Sequence, residues 1–232
     1  MFAHAPFAVI WTVSTIGLIG IAMNDTASGW LMTSLSADPF SVSLVQVATS
    51  LPMFLFILPA GALADIIDAR RFLIINLIAI TALMTAFASL VFLNLATPVS
   101  LLVTTFVLSG AWALNAPAWL SIIPLLVPKE ELDGAIAANS IGYNISRAIG
   151  PALGGLVIAA FGLSAPFWMF AAANLVAIAG LLWWREPRKS AESLPAERLT
   201  SAVRTGLRHA ANNPHLRATL VRTVAIYPFA SA

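Results

Sequence analysis

Six long apolar stretches, separated by short polar turns, fill the first 184 residues of the chain. Each can cross a membrane as a helix, which needs about 20 mostly apolar residues. Strands are not expected, because open strand edges are unfavourable in lipid and the sequence lacks the alternation of barrel strands. The pattern therefore predicts an all-α, six-helix membrane bundle. The predicted spans are Phe7–Leu35, Val42–Ala64, Phe72–Asn94, Leu101–Val127, Leu132–Phe161 and Ala165–Trp184.

The composition supports a membrane protein. Of the 232 residues, 59% are hydrophobic and 9% are charged, whereas a soluble domain carries about 25% charged residues. The chain contains no cysteine, which excludes disulfides, thiolate metal sites and cysteine nucleophiles. The predicted setting is a lipid bilayer.

The basic residues are distributed unevenly and predict an orientation. Residues 1–184 contain 4 Lys and Arg against 7 Asp and Glu, whereas residues 185–232 contain 8 against 3. The basic character belongs to the tail, so no nucleic-acid partner is expected. Positive charge favours cytoplasmic loops, which predicts a plasma membrane (bacterial inner membrane) protein with its amino terminus and tail inside. The loops after spans two, four and six carry Arg70, Arg71, Lys129, Arg185, Arg188 and Lys189.

The change of composition after Trp184 predicts three segments. Residues 1–184 form the bundle, and residues 185–215 form a cytoplasmic linker. Within that linker, residues 199–211 have the apolar spacing of a short amphipathic helix. Residues 216–232 turn apolar again but are too short to span, as expected for the beginning of a truncated seventh helix.

The turn after span two carries an acid and a basic pair. Asp65 ends one predicted helix, and Arg70 and Arg71 start the next. Such charges could latch two helices at the membrane surface during a conformational change. Helix termination with positive-inside anchoring is an equally good interpretation.

Span five carries a ridge of small residues. Small residues every four positions let another helix approach closely, and a proline within the span bends the helix. Tight static packing and a moving helix contact both fit this pattern. The ridge contains Gly142, Ser146, Gly150 and Gly154, with Pro151 and Gly155 beside it.

Two charged residues are predicted at membrane depth, Asp25 in span one and Arg147 in span five. An ionisable group there costs roughly 3 kcal/mol or more and usually faces a partner or a wet cavity. We expect the two to be paired or to share a cavity, either for proton or substrate coupling or as a static ion pair. Asn115 is a further polar group at this depth, and Asn139 and Tyr143 share a helical stripe with Arg147.

The sequence contains no pattern that supports catalysis or a cofactor. There is no H-E-x-x-H, G-x-S-x-G or P-loop motif. The three histidines, His4, His209 and His215, lie at or outside the predicted membrane ends. We predict no enzyme activity, no metal and no cofactor.

Two of these motifs resemble signatures of the major facilitator superfamily. Gly61-x-Leu63-x-Asp65 followed by Arg70-Arg71 resembles the loop between its helices two and three. Ser146-x-x-x-Gly150-Pro151-x-x-Gly154-Gly155 resembles its helix-five antiporter motif. Details of the surrounding sequence are similar to the branch that contains enterobactin exporters and macrolide efflux proteins.

The resemblance implies an exporter of drug or siderophore type that works by alternating access of two six-helix bundles. Asp65, Arg70 and Arg71 would form a cytoplasmic gate. The helix-five glycines and proline would face the opposite bundle. The chain departs from the family at Ile66 and Asp68, where a basic residue and a glycine are usual, and at Phe106 and Val107, where proton antiporters often carry an arginine. Asp25 and Arg147 are the substitutes expected to couple protons.

The resemblance also implies a missing half, because the family has twelve helices. We expect this chain to be a truncated half that needs the carboxy-terminal half or a homodimer, and to handle a small amphipathic substrate together with protons. The alternative is a non-transporting membrane fragment or helper that associates with a full-length partner.

Overall fold

In the computed structural model, the described part of the chain is a bundle of six long helices. The structure describes residues 2–36 and 38–184, apart from the side chains of residues 57, 58 and 61–66. All six helices are long and apolar enough to cross a membrane, which confirms the predicted fold class. The helices are α1 (Ala5–Leu35), α2 (Pro39–Ile66), α3 (Ala69–Phe92), α4 (Pro98–Ile122), α5 (Leu132–Phe161) and α6 (Ala165–Trp183).

The helices alternate in direction, so the bundle has two distinct ends. We name the near end as the one where α1, α3 and α5 begin and where α2, α4 and α6 finish. Helix α1 packs extensively against α5 and α6, α3 against α4 and α6, and α2 against α4. Helices α1 and α5 are therefore parallel neighbours, and α3 and α6 are antiparallel neighbours.

Buried apolar residues form two clusters, one towards each end. The near-end cluster includes Leu73, Ile122 and Leu181. The far-end cluster includes Phe87 and Phe167, whose rings meet edge to face with centroids 5.2 Å apart. Such aromatic pairs add about 1 kcal/mol beyond the area that they bury.

Local sequence fixes the helix ends. Asp68 is the N-cap of α3 and accepts a hydrogen bond from the backbone N–H of Arg71 at 2.8 Å, which satisfies one free donor of the first turn. Asp68 has φ −57°, so this position does not require the glycine that is usual in the family. Thr97 and Ser100 form a capping box at the start of α4.

Two predicted spans end earlier in the structure than the apolar pattern suggested. Helix α3 ends at Phe92, and Asn94 reverses the chain with φ +57°, a conformation that asparagine tolerates. Helix α4 ends at Ile122 and continues as a 3-10 turn over Ile123–Leu125. The ring of Pro124 lacks the N–H that would continue the α-helix. A hydropathy pattern detects neither the left-handed conformation of Asn94 nor the missing N–H of Pro124.

The segments predicted after the bundle lie outside the described residues. These are the linker at 185–215 with its amphipathic helix and the apolar stretch at 216–232. Both stay predictions from the sequence.

Arg70 joins α3 to the carboxyl end of α6. Its Nε donates to the carbonyl of Leu181 at 2.8 Å, and its Nη2 donates to the carbonyl of Leu182 at 3.2 Å. The last carbonyls of a helix have no partner within the helix, and a cation is favourable there because of the helix dipole. The guanidinium therefore ties the two helices together at the near end.

Replacing Arg70 with Ala is expected to destabilise the bundle by about 2 kcal/mol, since it removes two charge-assisted hydrogen bonds. Arg71→Ala is the matched control, because the Arg71 side chain is 82% exposed and, within the described side chains, its ion pair is with Asp68 at i,i+3, at 3.8 Å. The measurement is unfolding of the purified chain in increasing SDS. Equal midpoints for the two variants would contradict the assigned role of Arg70.

Candidate functional site

The described bundle contains a cavity of about 530 Å³. Its lining residues lie between the middle of the bundle and the near end. Several of them are exposed, including Tyr143 at 47%, so the cavity is open on one side. Its volume falls within the range of about 300–1,000 Å³ that is typical of small-molecule sites. The polar and aromatic lining residues are Ser14, Trp112, Asn115, Trp119, Asn139, Ser140, Tyr143, Asn144 and Asn174.

A pair of asparagines joins α3 to α4 beside this cavity. Asn76 Nδ2 donates to the carbonyl of Ala111 and to Oδ1 of Asn115, both at 2.7 Å. Asn115 is only 4% exposed, and its Oδ1 is occupied by this bond. The Nδ2 group of Asn115 makes no hydrogen bond to any described residue, so it is a free donor in the cavity wall.

Asn174 on α6 supplies the complementary group. Its Nδ2 donates to the carbonyl of Phe170 at 3.0 Å, which leaves its Oδ1 without a hydrogen-bond donor among the described residues. Asn174 is buried and lines the same cavity. These two asparagines therefore present an oriented donor and an oriented acceptor, while Trp112 and Trp119 provide broad apolar surfaces.

The structure brings together three of the five polar residues predicted to form a site. Asn115, Asn139 and Tyr143 all line the cavity, whereas Asp25 and Arg147 do not. Both charged side chains are exposed. The Arg147 guanidinium instead lies over the Tyr143 ring, 5.8 Å from its centroid.

Asp25 and Arg147 were expected to be paired or to share a cavity; within the described residues they form no ion pair, and neither lines this cavity. The contacts between α1 and α5 place Gly150 against Ala22 and Gly154 against Met23 and Thr26. Arg147 precedes Gly150, and Asp25 adjoins Thr26. The two charges therefore lie roughly one to two helical turns apart along the parallel helices.

The small-residue ridge of α5 packs inside this bundle. Gly142, Ser146, Gly150 and Gly154 are all buried. A Cβ added at Gly142 would lie 2.8 Å from Thr15 Oγ1, and one added at Gly150 would overlap the side chain of Ala22. The ridge is thus the surface that lets α1 approach α5 closely.

The residues of the helix-five motif lie on different sides of α5, and whether they face an opposite bundle stays a prediction. Gly150 and Gly154 face α1, whereas Pro151 and Gly155 are exposed on other sides of α5. A Cβ added at Gly155 would have nothing within 4 Å. Positions 150 and 154 are one helical turn apart and share a face, but positions 151 and 155 are rotated by about 100° from it.

The predicted gate is described only in part. Gly61 and Asp65 lie in the last turns of α2. The surroundings of Gly61 and the side chain of Asp65 are outside the described part of the structure. Arg70 binds the end of α6, and Arg71 pairs with Asp68. A latch between Asp65 and these arginines stays a prediction.

Comparison with known proteins identifies the family. A family model described as a transmembrane secretion effector, of the major facilitator superfamily, matches residues 1–232. The chain belongs to the major facilitator superfamily. The predicted family is therefore confirmed over the whole chain.

Major facilitator proteins similar to this chain include pumps and exporters. The multidrug efflux pump Tap of Mycolicibacterium fortuitum is 26% identical over 92% of this chain and 54% of its own length. The macrolide efflux protein A of Streptococcus pyogenes is 26% identical over 68% of this chain and 39% of its own. The enterobactin exporter EntS of Salmonella choleraesuis is 24% identical over 77% and 43%.

The chain spans about half the length, or less, of these curated relatives. Its family and its six apolar helices make it a multi-pass membrane protein of a transporter family rather than of an enzyme family. Its surroundings are accordingly a lipid bilayer.

Sequence reasoning missed three cavity residues, Asn174 and the two tryptophans of α4, and it missed Asn76, which holds Asn115 in the cavity wall. Asn76 and Asn174 each stand within an apolar helix, and an amide at membrane depth is a signal that could have found them. Trp112 and Trp119 are seven residues apart and share one face of α4. In an apolar helix, however, such spacing is equally typical of a lipid-facing or packed surface.

Proposed function

We propose that this chain is one half of a secondary active exporter of small amphipathic organic molecules, coupled to protons and working by alternating access. The observation that carries the proposal is the cavity, which combines amides and aromatic rings and opens on one side of the bundle. Apolar walls with a few placed polar groups are typical of sites for amphipathic ligands. Relatives named as pumps and exporters of drugs or siderophores support export as the direction.

The position of the cavity fits one state of an alternating-access cycle. All of its lining lies towards the near end of the bundle, which is cytoplasmic in the orientation predicted from the basic loops. A site towards the cytoplasmic end of the bundle is positioned to receive substrate before export. We assign Asn115, Asn139 and Tyr143 to substrate contact.

Proton coupling is proposed through Asp25. A carboxyl group at membrane depth is costly and typical of ion or proton pathways. Asp25 is exposed on α1 and unpaired with Arg147, so it is accessible to a proton. Arg147, on the neighbouring helix α5, is the other charged residue predicted at membrane depth.

A second six-helix bundle is part of the proposal. Most of α5 outside its buried ridge is exposed, including the polar or charged residues Ser140, Tyr143, Asn144 and Arg147. Polar groups facing lipid are unfavourable, so this surface of α5 is suited to a partner bundle or an aqueous cavity. The gate residues Gly61, Asp65, Arg70 and Arg71 would regulate that contact.

The test is an efflux assay in cells that lack their own exporters. It compares the 232-residue chain with a form extended by the coding sequence that follows codon 232, at matched membrane levels. We expect efflux of an amphipathic dye from the extended form and at least tenfold less from the short form. Efflux by neither form would contradict the exporter and favour the helper interpretation. Equal efflux by both forms would indicate that two copies of the 232-residue chain form the transporter, so that the second bundle is a second copy of this chain.

A further inference from the structure

The cavity wall also indicates which molecules it would select. Among the described residues, those that line it include no charged side chain. Within the described part of the chain, a cation does contact the wall, since the Arg147 guanidinium lies over the Tyr143 ring. A cationic ligand would therefore find no carboxylate, and it would find the Tyr143 ring already engaged by a positive charge.

Hydrogen-bonding capacity adds a second constraint. Because Asn76 holds Oδ1 of Asn115, Asn115 can offer only its Nδ2 donor to a ligand. Because Asn174 Nδ2 is bound to the carbonyl of Phe170, Asn174 can offer only its Oδ1 acceptor. Both amides are at least 96% buried. Both groups belong to residues of the cavity wall, so a ligand that hydrogen-bonds to both is favoured over one that bonds to only one of them.

We propose that the cavity selects uncharged aromatic molecules that carry a hydrogen-bond acceptor and a hydrogen-bond donor on different edges. The acceptor binds Nδ2 of Asn115 on α4, the donor binds Oδ1 of Asn174 on α6, and the ring system packs against Trp112 and Trp119. Asn76 is a positioning residue that acts through Asn115. This inference rests on the proposed function, since it takes the cavity to be the substrate site.

Three related probes differ in charge and in hydrogen-bonding groups. Acridone is planar and neutral, with a carbonyl acceptor and an N–H donor on opposite edges. The compound 10-methylacridone keeps the carbonyl but lacks the N–H, and 10-methylacridinium is a permanent cation that lacks both groups. Binding is measured by fluorescence anisotropy with the 232-residue chain in nanodiscs, and empty nanodiscs correct for lipid partition. We expect acridone to bind about tenfold more tightly than either of the other two.

Variants assign each bond to its residue. Asn174→Ala is expected to weaken acridone about tenfold and to leave 10-methylacridone unchanged, because only acridone donates to Oδ1. Asn115→Ala should weaken both neutral probes about tenfold. Asn76→Ala should weaken both as well, but should have no further effect when Asn115 is already Ala. Asn24→Ala is the matched control, because Asn24 is buried on α1 and does not line the cavity.

The possible results distinguish this inference from the proposed function. Binding of 10-methylacridinium that is equal to or tighter than that of acridone would overturn the selection against cations. This comparison uses the unsubstituted chain, so it does not depend on the folding of any variant. Equal binding of acridone and 10-methylacridone would overturn the role of Asn174. An additive loss in the Asn76 and Asn115 double variant would overturn the positioning role. Selective acridone binding without efflux from the extended form would support the site and reject the exporter.

Discussion

Replacing Gly150 with Leu is expected to separate α1 from α5 and to destabilise the bundle by about 3 kcal/mol, at the upper end of typical overpacking costs. A Cβ at this position already overlaps the side chain of Ala22 and would lie 3.5 Å from the backbone carbonyl oxygen of Ile19. The Cβ of Ala22 is attached directly to the backbone of α1, so it cannot move aside as the far end of a flexible side chain can. Helix α5 has one buried stripe, and α1 is its principal neighbour. Loss of the close contact at Gly150 should therefore weaken the packing of α5 against α1 along its whole length. The measurement is SDS-induced unfolding of the purified chain, monitored by circular dichroism.

Gly155→Leu is the matched control. The substitution is the same and lies on the same helix, but a Cβ at Gly155 has nothing within 4 Å. We expect the isolated chain to keep its stability with this change. In the extended form, Gly155→Leu should reduce efflux if the exposed side of α5 meets a second bundle. Equal destabilisation by both substitutions would show that packing against α1 does not set the requirement for glycine.

Replacing Asp25 with Asn is expected to abolish efflux driven by a pH gradient in the extended form. The amide keeps the size of the side chain and one of its acceptor oxygens but cannot bind and release a proton. Asp25 does not line the cavity, so the substitution should leave binding of acridone unchanged. The measurement is dye efflux from energised vesicles with an imposed pH gradient.

Asp38→Asn is the control for this prediction. Asp38 lies in the turn before α2, where its carboxylate accepts a hydrogen bond from the backbone N–H of Phe40 at 3.2 Å, and an asparagine can keep that bond. We expect normal efflux from this variant and normal membrane insertion of both. Undiminished gradient-driven efflux by Asp25→Asn would exclude Asp25 as the coupling group.

The two parts of the helix-five motif show how far spacing in the sequence can be interpreted. The period of four predicted one face containing Gly142, Ser146, Gly150 and Gly154, and the structure confirms that they are buried together. The sequence could not state which helix they meet. Small residues permit close approach by any helix, so the partner depends on how the bundle is assembled, and that partner is α1.

Arg70 illustrates the same limit. Its position after span two predicted either a latch with Asp65 or a simple charge anchor. The described structure adds a third role, because the guanidinium binds the last carbonyls of α6. Residues 70 and 181 are far apart in the chain, and their proximity follows only from the antiparallel packing of α3 and α6.

The sequence by itself determined the number of spans, their approximate limits, the all-α class and the family. These properties depend on local quantities, because lipid requires each backbone to satisfy its hydrogen bonds within its own helix. Tertiary structure alone decided that Asn76 orients Asn115, that Asn174 faces the same cavity, and that Asp25 and Arg147 are not paired. Lipid and protein neighbours are almost equally apolar, so hydropathy cannot tell which side of a membrane helix faces its neighbours. That choice depends on close packing and hydrogen bonds between helices.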